Sequence, residues 1–590
     1  MKGIITSVLL AGCIICSASC KKELGYTGFE SDRNETFTGE VVLSTDKAIY
    51  NPGESVTLTA STVPVGKIYI RYRHLGETVK EEAASSATWT WQTPAEDYMG
   101  YMVEMYQITD DGEEVILGTV GVDVSSDWSM FPRYGFLASF DVMTEDETNA
   151  IIDNLNRYHI NGVQFQDWHY KHHWPLAGTA EKPMETYLDI ASRNTSLTTI
   201  KNYISRIHHY GMKAIFYNLC FGALNDAADD GVKEEWYLFK DRDHNTKDFH
   251  PLGAPFKSSI YIVDPGNPEW LEYLGKRNDD VYAVLDFDGY QIDQLGNRGT
   301  LYNYNGEATY LNGRYTSFIN AMKERHPSKD LIMNAVSGYG DAEILETGKM
   351  AFAYNEMWAN EARFNDLYNT IKRNYELSDG EARTVFAAYM NYDKANSTGS
   401  FNTPGVLLTN AFMFALGGSH LELGEHMLCK EYFPNDNLAM PQELSETLVK
   451  YYDFMVAYQN LLRGEGEFNT VNVSSVAGND ANFAIDNMQR GSISVFGRKS
   501  GKYQTVQLVN FTNADSDSWR DLNGTMPEPE LIESLAVDIP VTGTVKRIWM
   551  ASPDIEGGAL QELNYSAGAD KVRLSIPSLK YWDMIVIEYE

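Results

Sequence analysis

Gly289-Tyr290-Gln291-Ile292-Asp293-Gln294-Leu295-Gly296 is a short strand-like run that ends in polar residues. An amphipathic helix pattern over Pro268–Val284 precedes it and another over Gly313–Arg325 follows it. A strand between helices is the unit of a parallel sheet. Working outward, the same rhythm fills residues 127–465. Strand candidates are Tyr134–Phe140, Gly162–Gln166, Lys213–Leu219, Gly289–Leu295, Leu331–Val336, Met350–Met357, Thr384–Met390 and Phe412–Leu421. Helix patterns between them include Glu145–Arg157, Thr198–Tyr210 and Glu361–Tyr375. Eight repeats predict a closed (β/α)8 barrel. A doubly wound open sheet is the alternative, but no Gly-x-Gly-x-x-Gly follows the first strand, and polar residues recur at the strand ends where barrel chemistry sits.

Those strand ends carry Gln166-Asp167-Trp168-His169, Asn218, Gln291 and Asp293, Asn334, Glu356 and Trp358, Tyr389, and His420 with Glu422. Amides and carboxylates can hold sugar hydroxyls, and aromatic rings can pack on pyranose faces. Gln166, Asp167, Trp168, His169, Asn218, Gln291, Asn334, Trp358, Tyr389, His420 and Glu422 are therefore candidate substrate-binding residues. Glycosidic bonds break through an oxocarbenium-like transition state flanked by two carboxyl groups, about 5–5.5 Å apart in retaining enzymes and further apart in inverting ones. Asp293 and Glu356 end the fourth and sixth strands. At about 4.8 Å per strand their Cα atoms fall roughly 10 Å apart, within reach of retaining distance for inward side chains. Asp293 is assigned as nucleophile and Glu356 as general acid/base, with Tyr354, Met357 and Trp358 placed to desolvate the latter.

The other acids and histidines have plainer readings. Asp286 and Asp288 precede the fourth strand, on the wrong end of a barrel, and Asp264 sits in the turn Val263-Asp264-Pro265-Gly266-Asn267-Pro268. His169, His172 and His173 read as part of a substrate platform with Trp168, Tyr170 and Trp174 rather than as metal ligands; neither metal nor cofactor is expected.

Both flanks alternate with period two. Residues 39–126 read as an immunoglobulin-like β-sandwich and residues 466–590 as an antiparallel β-sandwich. At the N-terminus, Lys2 precedes an apolar run from Ile4 to Ile15 and the small residues Ser17-Ala18-Ser19 before Cys20, the pattern of a bacterial lipoprotein signal. The expectation is a signal peptide over 1–20, lipidation at Cys20 (Cys13 is the alternative), a tether over 21–38, and export to the outer membrane or cell surface, with the periplasm as alternative. The 48 basic against 82 acidic residues give a net charge of −34, which repels phosphate backbones and excludes nucleic acid as a natural partner. Aromatics make up 12% of the chain, including 37 Tyr and 11 Trp, a composition that suits either sugar binding or a large core. Outside the first twenty residues only Cys220 and Cys429 remain, so there is no disulfide framework.

Three blocks together resemble glycoside hydrolase family 66, the endo-dextranases and cycloisomaltooligosaccharide glucanotransferases. They are the run 289–296, Tyr354-Asn355-Glu356-Met357-Trp358, and Gly417-Gly418-Ser419-His420-Leu421-Glu422-Leu423-Gly424-Glu425 followed by Glu431-Tyr432-Phe433-Pro434-Asn435. The resemblance covers nearly the whole mature chain. It implies sandwich, barrel and sandwich, a retaining mechanism on Asp293 and Glu356, and an α-1,6-linked glucan such as dextran as substrate, cut internally to isomaltooligosaccharides. The glucanotransferases of the family carry a long insertion in the barrel for which this chain leaves no room, which favours hydrolysis. The alternatives are an exo-acting α-glucosidase, a transglycosylase of the same fold, and an inactive glycan-binding surface lipoprotein.

Overall fold

The computed structural model describes residues 36–431, 435–478 and 481–590. Cys13 and Cys20, with the whole proposed leader and most of the tether, lie outside the described residues, as do Tyr432, Phe433 and Pro434. No helix among the described residues is long and apolar enough to cross a membrane.

The centre of the chain is α/β. Among the described residues, eight strands make its two main parallel sheets, apart from several two- and three-residue strands in the connections: β1 (Tyr134–Leu137), β2 (Gly162–Phe165), β3 (Lys213–Leu219), β4 (Gly289–Asp293), β5 (Asp330–Met333), β6 (Ala353–Met357), β7 (Thr384–Ala388) and β8 (Ser419–His420). The first five form one parallel sheet in the order β5-β4-β3-β2-β1, and the last three form a second in the order β6-β7-β8. Two parallel bridges, Leu331 to Met350 and Asn334 to Tyr354, join the β5 edge to the β6 edge. On the far side Phe136 N of β1 donates to Leu423 O, just beyond β8, at 3.0 Å.

Helices between the strands follow local rules. Thr144 and Glu147 cap Glu145–Arg157 reciprocally. Asn267 caps Pro268–Val284, with Pro268 in the first turn. Asp264 instead accepts from Gly266 N within the preceding turn.

One expected strand is different. Phe412–Leu421 is not a single strand: Phe412 to Ala415 close the helix Thr403–Ala415, and only Ser419–His420 pair as β8. Every residue of that helix from Gly405 onward is buried. An element apolar all round has no polar face, so its sequence lacks the period that separates helix from strand.

Both flanks are rich in antiparallel sheet. On the N-terminal side the strands Leu43–Thr45, Ser55–Ala60 and Thr88–Gln92 make one sheet, and Glu77–Ala83, Ile68–His74, Met99–Ile108 and Glu114–Val124 make another. They share a core that includes Val56, Leu58, Trp91, Ile70, Tyr72, Val103 and Val122. On the C-terminal side a seven-stranded and a four-stranded sheet share Val495, Val506, Leu508, Val537, Leu574 and Ile585. The N-terminal sheet packs tightly on the helix Gln442–Ala457. At Gly100 an added Cβ would lie 2.1 Å from Val456 O, so only glycine permits the approach. Gly121 N donates to Asp453 Oδ1 at 2.8 Å in the same seam.

Candidate active site

Strand parity decides which side chains meet. In β4, Gln291 and Asp293 share one face, whereas Tyr290 points the other way and stacks on Phe216 of β3 with ring centroids 4.7 Å apart. Tyr217 lies beside Gln291 in the register and shares its face. In β6, Tyr354 and Glu356 line the same cavity, while Asn355 turns outward to Asp341 and Asn374. Asn334, one residue past β5, and Tyr389, one past β7, complete the rim.

These groups border a cavity of about 410 Å³, walled further by Ile190, His250, Leu252 and Phe256 from the long connections after β2 and β3. Asp293 and Glu356 are tied together within it. Asn334 Nδ2 donates to Asp293 Oδ1 at 2.8 Å and to Glu356 Oε2 at 3.1 Å. These two carboxylate oxygens therefore lie no further apart than both bonds laid end to end, about 6 Å. Each carboxylate has a second donor on its other oxygen: Tyr217 Oη gives its proton to Asp293 Oδ2 at 2.5 Å, and Tyr389 Oη to Glu356 Oε1 at 2.6 Å. Asn334 also accepts from Glu356 N at 3.2 Å, which fixes which way its amide faces.

The electrostatics separate the two acids. Loss of water raises the pKa of both. Three donors oppose that rise at Asp293: Tyr217, Asn334 and the backbone N–H of Gln294. Glu356 is pushed up to about 7 by burial and then by the charge of Asp293, against donors from Tyr389, Asn334 and Trp358. Both acids are thus raised, and the charge of Asp293 adds to the rise at Glu356. Asp167 is a third perturbed acid, raised to about 6 by burial, with Arg193 opposing and Asp189 and Asp293 adding to the rise. It occupies the left-handed region at φ 51°, a conformation that non-glycine residues adopt at a cost.

Of the residues singled out from sequence, Gln166, Asp167, Gln291, Asp293, Asn334, Glu356, Trp358 and Tyr389 line the cavity. Trp168, His169, Asn218, His420 and Glu422 do not. Trp168 is fully buried on the outer face, against Phe287 and Phe216, with its Nε1–H on Tyr217 O at 3.2 Å. His169, also fully buried, bonds to His172 at 2.9 Å, and Asn218 donates to His172 O at 2.9 Å; only His172 of that trio reaches the cavity wall. His420 is held between Ala388 O and Asn410 Oδ1, both at 2.8 Å, and Asn410 also bonds to Glu422. These groups brace the wall from behind. Tyr354, expected beside Glu356, lines the cavity too, and Gln164 and Tyr217 join it without being among the candidates, although parity from Asp293 and Gln291 points to Tyr217.

Asp288 turns away from the cavity toward His208, Lys213 and Ala214 N. Among the described residues, His173, Asp226 and Asp230 form one group close enough to share a cation, but the Lys171 ammonium stands there, 2.8 Å from Asp226 and 2.6 Å from Asp230. Cys220 and Cys429 are both buried free thiols.

A cavity at the C-terminal ends of parallel strands, holding two carboxylates within one amide's reach, is the site of a glycan-cleaving or glycan-transferring enzyme. The chain belongs to glycosyl hydrolase family 66, whose model matches residues 45–586. Among curated proteins it is 26% identical to a cycloisomaltooligosaccharide glucanotransferase of Niallia circulans, over 92% of this chain and 71% of that one. It is 24% identical to a dextranase of Streptococcus salivarius, over 83% of this chain and 67% of that one. Its fold is that of a Paenibacillus sp. cycloisomaltooligosaccharide glucanotransferase solved with cycloisomaltoheptaose, with a TM-score of 0.84 at 24% identity over 93% of this chain and 99% of that one.

Proposed function

We propose that this chain is a retaining, endo-acting glycoside hydrolase that cuts α-1,6-glucosidic linkages of dextran and releases isomaltooligosaccharides. The observation that carries the reading is the single amide of Asn334 bonded to both Asp293 and Glu356. Its bound of about 6 Å takes in the retaining separation of about 5–5.5 Å and falls short of the inverting one, about 6.5–9.5 Å. In the first step the Asp293 carboxylate attacks the anomeric carbon while the Glu356 carboxyl gives its proton to the departing glycosidic oxygen. In the second the Glu356 carboxylate takes a proton from water, the water oxygen bonds to the anomeric carbon, and the bond to Asp293 breaks. The raised pKa of Glu356 suits the part of the acid in this division. Gln166, Asp167, Gln291, Trp358 and Tyr389 are read as contacts for sugar hydroxyls and faces.

The wider reading is that β1–β8 constitute one (β/α)8 barrel over residues 127–465, with an immunoglobulin-like sandwich before it (39–126) and an antiparallel sandwich after it (466–590). Hydrolysis is favoured over transfer by the alignment with the Niallia circulans glucanotransferase. It spans 712 positions against 92% of 590 residues, so the relative carries roughly 170 residues within the match that this chain lacks. Export as a lipoprotein anchored through Cys20, or Cys13, at the outer membrane or cell surface rests on the leader pattern.

The test is a product profile on dextran, with pullulan and starch as controls. A ladder of linear isomaltooligosaccharides is expected from dextran alone. Glucose as sole product would replace the reading by an exo-glucosidase, and cyclic products by a transferase. Asp293→Ala should abolish turnover and retain dextran binding; normal turnover by that variant would remove its role.

A further inference from the structure

Arg383, Arg463 and Arg498 line one small cavity of about 20 Å³ with Tyr375 and Thr384, at the foot of β7 and so at the end of the strands opposite the catalytic rim. Arg463 is only 1% exposed and Arg383 7%. Their contacts are neutral. Arg383 donates to Gly380 O and Glu381 O, Arg463 to Pro132 O and Met455 Sδ, and Arg498 to Gly464 O and Gly466 O. The Nε–H of each has no partner among the described residues. Nearby Arg133 has its own carboxylate, Asp123 at 2.8 Å. The acids that act on Arg383, Glu381 and Glu465, are exposed and make no ion pair with it among the described residues. Burial pushes all three guanidinium pKa values below the usual range; the Arg383 charge adds to the fall at Arg463 and Arg498, and at Arg463 Arg133 adds to it while Asp123 opposes it.

We propose that this cavity binds a monovalent halide ion, chloride in ordinary solution. A guanidinium does not shed its proton in a protein, so three buried cations call for a countercharge. The cavity exceeds the roughly 10–15 Å³ that one water-sized sphere needs, and it is too small for a tetrahedral oxyanion. An acceptor-only ion suits a cavity lined by three cations, each with an N–H left unpartnered among the described residues. A water molecule would find acceptors in the Thr384 and Tyr375 hydroxyl oxygens, but it brings no countercharge to the three cations. Arg383 O receives the N–H of Ala353 at 2.9 Å, so the ion would brace the feet of β6 and β7, the strands that carry Glu356 and lead to Tyr389.

The test is thermal unfolding of the full chain at fixed ionic strength, with chloride replacing gluconate. The midpoint should be flat below the dissociation constant and rise above it by about 1–3 °C per tenfold chloride. Arg463→Met should remove that dependence. Should Arg463→Met fail to fold, bromide-soaked crystals of the unaltered chain give a second readout, an anomalous peak among the three guanidinium groups. A midpoint indifferent to chloride, a chloride effect that survives in Arg463→Met, or a bromide soak with no peak in this cavity would each overturn the proposal.

Discussion

Tyr217 and Asp293, on neighbouring parallel strands, meet through a 2.5 Å hydrogen bond in which the phenol donates to Oδ2. The donor favours the ionised carboxylate and opposes the rise that burial imposes. Tyr217→Phe keeps the ring and removes the donor. A hydrogen bond to a charged group contributes about 1.5–3 kcal/mol, so kcat/KM on dextran should fall on the order of 10- to 100-fold. Without the donor the Asp293 pKa rises further, and the acid limb of the pH profile should move to higher pH. An acid limb that stays in place while activity falls would make Tyr217 a packing residue only.

In the proposed mechanism Glu356 sets the opposite limb. It must carry a proton to act as acid, and burial together with Asp293 pushes it up to about 7. Activity should decline as pH rises through about 7. The Tyr389 hydrogen bond lowers this value, so Tyr389→Phe should shift the alkaline limb upward, the same direction as the acid limb in Tyr217→Phe but on the other side of the profile. Glu356→Gln should lose most activity on dextran and retain more on a substrate with an activated leaving group, where protonation is dispensable. Equal loss on both substrates would point to a role other than proton transfer.

Much of this site could be read along the chain because its parts are strand ends. Asp293, Glu356, Asn334 and Tyr389 each lie at or within one residue of the C-terminal end of a short strand, and the polar residues there interrupt apolar runs. Trp168, His169, Asn218, His420 and Glu422 also stand near strand ends, and proximity alone placed them in the site. Side-chain parity is what removes Asn218: counting by two from Tyr217 sends it outward. The left-handed turn at Asp167 redirects the chain so that Trp168 falls into the core, which period-two counting does not anticipate. The wall formed by His250, Leu252 and Phe256 comes from an irregular connection with no period to read. The last turn of the helix Thr403–Ala415 reads as a strand in the sequence because burial on all sides leaves it no polar face.

The two tryptophans beside the site provide a direct check on that distinction. Trp168 is buried against Phe287, whereas Trp358 borders the cavity with its ring 5.2 Å from that of Tyr389. Trp168→Ala should cost about 3–5 kcal/mol of stability, visible as a lower unfolding midpoint with KM for dextran little changed in the folded fraction. Trp358→Ala should do the reverse, raising KM or lowering kcat/KM with the midpoint nearly kept. A Trp168→Ala variant that is stable and weak-binding would return that residue to the substrate surface.

Asn334 is the group on which the pair's geometry turns, because one amide holds an oxygen of each acid. Asn334→Ala removes a donor from both at once. Each lost bond had favoured the ionised form, so both pKa values should rise. The nucleophile limb and the acid limb should then move upward together, unlike the one-sided shifts of the tyrosine variants. Loss of a positioned donor at a reacting centre costs about 10²–10³ in rate, and here the spacing of the two carboxylates is released as well, so kcat should fall at least that far. Asn334→Asp separates charge from position: it keeps the size of the side chain but replaces the shared donor by a third acid, which should raise Asp293 and Glu356 further and so lose activity most steeply on the acid side of the profile, where the nucleophile is protonated. If Asn334→Asp retained the parent profile in a full pH series on dextran, the amide would not be what holds the two acids in register.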